Sequence, residues 1–105
     1  MRTDAELARE ALAHLDILRA HLDRGDYSDV LISDAVNMRL AAAIEVIERT
    51  SDDFRERAFG DRWKDIWSTR NRIAHGYAAV DGTILRATIE NDLPAFESAL
   101  RILLT

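Results

Sequence analysis

Between Asp4 and Arg24, Leu7, Ala8, Ala11, Leu12, Leu15, Leu18 and Leu22 recur at steps of three and four residues. At about 100° per residue that spacing lines one face of a helix, whereas a strand would scatter the same side chains over two faces. Related spacing returns from Val36 to Ile47 and from Leu85 to Leu103, and the whole chain holds 4 glycines and 1 proline. With so few breakers and no apolar–polar alternation of strand length, the chain is predicted to be all-α. The expected architecture is a compact up-and-down bundle of four to five helices, one domain over residues 1–105.

The first helix is expected from Asp4 to about Arg24, with Gly25 as its stop. Ser28 and Ser33 are candidate N-caps for a second helix that runs to about Thr50. That helix carries two apolar stripes. Val36, Leu40, Ala43, Ile44 and Ile47 form one, and Leu31, Met38, Ala42 and Val46 form another, roughly 140° or more away. A helix apolar on two sides is buried on two sides. In a domain this small the second side is expected to meet another copy of the chain, which makes Leu31, Met38 and Val46 candidates for a homodimer interface. "SDDFRERAFGD" reads as a short helix or turn capped by Gly60, and a third long helix starts near Asp61. Asp81 is the candidate N-cap of the last helix. There Leu85, Ile89, Leu93, Phe96, Leu100 and Leu103 stay in phase across Pro94, which predicts one kinked helix.

Zero cysteines exclude disulfides and thiolate metal sites. No apolar run approaches the ~20 residues that span a bilayer, and the N-terminal "MRTDAELARE" lacks a signal-peptide core, so a soluble, cytoplasmic protein is expected. The net charge of −5 argues against a general nucleic-acid coat. It is unevenly spread: residues 39–72 hold eight basic and seven acidic side chains, while both flanks are acidic. A surface that attracts phosphate is expected in that middle third.

The middle third runs into "TRNRIAHGY", residues 69–77, where two arginines, an asparagine, a histidine and a tyrosine crowd together. Gly76 after a helical run marks a helix C-terminus, which places His75 in the last turn, where the helix dipole favours a protonated imidazole. Asn71 and His75 share a face. Arg70 and His75 lie about 140° apart, so they converge on one phosphate only where the helix ends or where a second copy completes the pocket. These side chains suit RNA cleavage. The 2′-hydroxyl is a built-in nucleophile and needs no metal. His75 is the candidate proton shuttle, Arg70 the bidentate cation for developing phosphorane charge, and Asn71 an orienting group. Arg72 reads as a cation at the edge of bound RNA. His14 and His21, two turns apart without a carboxylate at ligand spacing, read as surface or interface residues, and neither a metal nor a cofactor is expected. Trp63 and Trp67, one turn apart, read as core or dimer packing.

Arg70, four residues, His75, any residue and Tyr77 resembles the Arg-x4-His-x-Tyr signature of the HepT-like family in the HEPN superfamily. Asn71, Trp63-x-x-Ile66, "VDG" at 80–82, "NDLPAF" at 91–96 and "DAV" at 34–36 resemble the family's pattern in order and spacing. "AAAIEV" departs from it, standing where the family often has an Ile-Gly-Glu-Ala-like turn. The resemblance implies a helical-bundle homodimer acting as an RNase toxin of a type VII toxin–antitoxin system, with two motif copies facing one cleft. It implies a minimal nucleotidyltransferase (MNT-type) antitoxin that attaches AMP to the motif tyrosine. On that pattern Arg70 and His75 are catalytic, Asn71 supports them and Tyr77 is modified. The alternative from the sequence is a non-catalytic helical dimer that serves as a binding partner of such a nucleotidyltransferase.

Overall fold

The computed structural model describes residues 1–76 and 82–105, and every regular element among them is helical. In chain order these are α1 (Asp4–Arg24), α2 (Val30–Glu48), α3 (Asp52–Phe59), a 3-10 turn (Gly60–Arg62), α4 (Trp63–Ala74), α5 (Gly82–Asn91) and α6 (Leu93–Leu103). Thr3 caps α1 by accepting from the Glu6 backbone N–H at 3.1 Å, and His21 and Arg24 sit in its last turn, where cations suit the dipole. The cap of α2 is neither Ser28 nor Ser33. Asp29 fills that role, its carboxylate accepting from the Leu31 N–H at 2.9 Å, while the Ser33 hydroxyl donates back to the Val30 carbonyl. The carboxylate competes best because Ser33 already lies inside the first turn. The helix also ends two residues before Thr50, at Glu48.

Cross-helix partners step down one helix as they step up the next. Arg39 meets His14, Arg49 meets Glu10 and Ser51 meets Asp4, so α1 and α2 run antiparallel. Arg19 meets Glu97 and Asp16 meets Arg101, which sets α6 antiparallel to α1. The up-and-down order expected from the periodicity is the one observed. Counting α5 and α6 as one interrupted helix gives five helices among the described residues. The interruption is slight: Asp92 keeps helical dihedrals, its N–H reaches the Thr88 carbonyl at 2.8 Å, and its carbonyl accepts from Phe96 at 3.2 Å. Pro94 removes a donor at the start of α6, where its missing N–H is tolerated, and the helical course is kept through Asp92. Asp81, the expected cap of this helix, lies outside the described residues.

A continuous core joins the helices, with Leu15, Leu18, Val36, Ile47 and Leu100 fully covered. The first stripe of α2 lies wholly within it. The second stripe splits. Leu31 and Met38 are 78% and 67% exposed, but Val46 is only 4% exposed and belongs to this chain's own interior. Val46 forms part of the floor between Glu10 of α1 and Trp67 of α4, so in this half of α2 two neighbouring helices cover both stripes. Val46 is therefore withdrawn as an interface candidate. No helix among the described residues is long and apolar enough to cross a membrane.

Two polar clamps set the helix ends. Arg19 Nε donates to both Glu97 oxygens, at 3.2 and 3.3 Å, and satisfies a buried carboxylate. Arg86 of α5 reaches Asp26 in the α1–α2 loop at 2.8 Å, and hydrogen bonds from Ser28, then Arg86, hold the Asp26 carboxyl down to about 2. A carboxyl lowered on folding stabilises the fold above its unfolded value of about 3.9, and that stabilisation disappears as pH falls toward 2. Urea unfolding of wild type and Asp26→Asn should differ by a full, constant amount above about pH 5 and converge near pH 2. Leu15→Ala should cost about 2–5 kcal/mol in the same assay at neutral pH, because it empties space that no neighbour can reach without moving.

Candidate functional site

Helix α4 carries the motif, and an aromatic column positions it. Phe96 of α6 stacks on Phe59 at 5.2 Å, Phe59 on Trp63 at 5.9 Å, and Trp63 on Trp67 at 6.1 Å. Trp63 and Trp67 are one turn apart and partly buried against the core, as packing residues should be. The column ends in a cation: the Arg70 guanidinium lies 4.9 Å from the Trp67 ring centroid. Arg70 has two further partners. Its Nε donates to Glu45 Oε1 of α2 at 2.9 Å, and its Nη1 donates to Asn71 Oδ1 at 3.1 Å.

The ion pair of Arg70 forms with Glu45, across the helix interface. Glu45 and Trp67 are the contributors that the motif does not include. For Trp67 the one-turn spacing to Arg70 was a usable signal. For Glu45 the signal exists only once α2 and α4 are packed antiparallel.

The helix stops where glycine predicts. The His75 N–H closes the last α-turn onto the Asn71 carbonyl at 3.0 Å, and the Gly76 N–H bonds the Ile73 carbonyl at 3.1 Å. His75 has left helical dihedrals (φ −93°, ψ 7°) and is exposed, while Gly76 takes φ +76°. Arg70 and Asn71 thus stand on the last turns of α4, and His75 stands on the turn that follows the helix. Arg72 is exposed on the last turn of α4. Tyr77 lies outside the described residues.

Two shallow grooves of about 510 and 520 Å³ flank this helix end. One runs between α2 and the α4 terminus, past Met38, Ala41, Ile73 and Gly76. The other runs toward α1, past His14, Arg49, Trp67 and Arg70. Ala42 and Glu45 line both, so Glu45 stands on the ridge between them. His14 Nδ1 lies 3.1 Å from Arg39 Nη1, and because arginine only donates, a hydrogen bond between them requires this nitrogen to accept. His21 is half-buried near the far end of α1 and takes no part in the grooves. Among the described residues, no three histidine or carboxylate side chains cluster as a metal ion would require.

The last turns of α4 thus carry an arginine and an asparagine, and the turn that follows carries an exposed histidine. The chain belongs to the ribonuclease HepT-like family, whose model matches residues 8–103. It is similar to a protein of Methanocaldococcus jannaschii named "Putative RNase MJ1380", with 26% identity over 81 residues that cover 73% of this chain and 74% of that protein. No solved structure matches the chain. Family membership supports ribonuclease activity, with RNA as the substrate.

Gly76 closes the turn after α4 in the left-handed region. A Cβ added there would meet nothing within 4 Å, so only the left-handed backbone resists substitution. Gly76→Ala should lower stability by about 1 kcal/mol in urea unfolding, and Gly76→Asn by less.

Proposed function

We propose that this chain is a metal-independent endoribonuclease, the toxin of a type VII toxin–antitoxin pair, whose active site is completed at a homodimer cleft. The observation that carries the reading is the guanidinium of Arg70, held at the end of α4 with His75 on the following turn. The 2′-oxygen attacks the adjacent phosphorus and forms the new P–O bond as the P–O5′ bond breaks. His75 moves the 2′-hydroxyl proton toward the departing 5′-oxygen, and Arg70 neutralises charge on the phosphorane oxygens. Asn71 holds Arg70 through Oδ1. The products are a 2′,3′-cyclic phosphate and a 5′-hydroxyl. Arg72 is placed at the RNA edge.

Exposed Leu31 and Met38 support the dimer, because Met38 lines the groove that also reaches Ile73 and Gly76. A second copy seated there would bring its own motif toward the first. Tyr77 is the proposed off switch. A minimal nucleotidyltransferase would join its phenolic oxygen to the α-phosphorus of ATP and release pyrophosphate, adding two residues after His75 a phosphate and a base that would compete with RNA for the cations of the motif.

Purified chain incubated with cellular RNA in EDTA should generate 5′-hydroxyl ends. His75→Ala should lose about 10²–10⁴-fold in rate, and Arg70→Lys most of the activity, since an ammonium cannot replace a planar fork. Tyr77→Phe should still cleave but escape silencing by the nucleotidyltransferase and ATP. A requirement for added magnesium or manganese would overturn the mechanism. Growth arrest by neither wild type nor His75→Ala, together with intact binding to the nucleotidyltransferase, would favour the non-catalytic partner instead.

A further inference from the structure

We propose that Glu45 of α2 is a positioning residue for Arg70, setting the plane of the guanidinium so that its remaining donors meet the scissile phosphate. The inference rests on the ribonuclease reading above and adds a residue outside the motif. Three contacts define the guanidinium. The Trp67 ring fixes its tilt from one face, Asn71 Oδ1 takes one N–H of Nη1, and Glu45 Oε1 takes Nε–H. A guanidinium has five N–H donors in one plane, so these two bonds leave three for a phosphate. Without Glu45 the side chain can rotate about its last bonds while still lying over Trp67, and the fork is no longer aimed.

The charge of Glu45 is what separates this role from a surface ion pair. Its side chain is 48% exposed and that of Arg70 29% exposed, so the pair contributes little to folding. A carboxylate on the ridge beside a phosphate site also repels RNA. Its Coulombic effect on binding is therefore unfavourable, and the orientation of Arg70 is what it supplies in return. Glu10, Glu48, Arg49 and His14 line the same groove from α1 and α2. None of them bonds Arg70 in the structure, and they are not assigned this role.

The two effects of Glu45 have opposite signs, which makes the proposal testable. With bulk cellular RNA as the probe, cleavage is followed through 5′-hydroxyl ends at saturating and subsaturating protein. Glu45→Ala should cut the saturating rate by about 10–100-fold, the usual scale for losing a group that aims a catalytic one. The half-saturating concentration should stay the same or fall. Glu45→Gln keeps an oxygen for Nε–H and should recover a substantial part of the rate. Glu45→Ala at the wild-type rate or faster would overturn the role, the faster outcome indicating a latch on Arg70. So would a Glu45→Gln chain no better than Glu45→Ala. A melting temperature lowered by more than about 5 °C, with rate and affinity lost together, would make Glu45 structural and overturn it equally. If wild type yields no 5′-hydroxyl ends, or Arg70→Ala cleaves as wild type does, the ribonuclease reading itself fails. Cleavage that needs Arg70 but not Glu45 sinks this inference alone.

Discussion

Helix α2 is covered along one side by α1 and along another by α4, and each chemical feature of the chain depends on one of those contacts. The first contact buries Val36, Ala43 and Ile47 completely, and it ties the ends of the helix pair through Arg49–Glu10 and Ser51–Asp4. The second places α4 so that Trp67 lies over the α2 surface and Arg70 reaches Glu45. Burying an aliphatic side chain contributes about 1.5–3 kcal/mol, against about 0–1 kcal/mol for an ion pair as exposed as Arg70–Glu45. The apolar contacts therefore decide where α4 lies, and the Arg70 geometry follows from them.

The same hierarchy governs the motif. Stacking from Phe96 to Trp67 joins α6, α3 and α4 in one column, and the guanidinium of Arg70 is its outermost layer. Arginine at a column's end is restrained more than an arginine on a bare helix surface, because the aromatic face removes rotamers that solvent would allow. His75, by contrast, sits past the last regular residue of α4, where the helix has given way to a turn closed by Gly76. One functional group is held by packing and the other by a helix terminus. On the proposed mechanism, that division suits a cation that stays fixed and an imidazole that passes protons.

Much of this was legible in the residues themselves. The three–four spacing places α1 from Asp4 to about Arg24, as observed, and the phase across Pro94 keeps α5 and α6 in one course, because local periodicity and a missing donor are sequence properties. Gly76 announces the end of α4 for the same reason. What could not be read depends on tertiary choice. Asp29 displaces two serines as a cap through one hydrogen bond of local geometry. Val46 has the periodicity of an outward stripe yet is buried, because α1 and α4 close over that half of α2 while Leu31 and Met38 lie beyond their reach. Glu45 is one of several acids within reach of α4, and only the register between two helices selects it.

The acidic balance of the chain bears on how RNA can be held. Arg19, Arg55, Arg57 and Arg86 are paired with Glu97, Asp52, Asp53 and Asp26, so their charge is spent within the fold. Counterion release scales with the number of phosphates that cations neutralise, and a surface of this kind offers few. On the proposed reading, affinity then comes from a small number of well-directed contacts near the end of α4. Adding a second copy across the exposed Leu31–Met38 face would double those contacts without changing the charge ratio of either chain. For a chain of net charge −5, the role proposed for Arg70 therefore asks more of the direction of one guanidinium than of the sum of the surface.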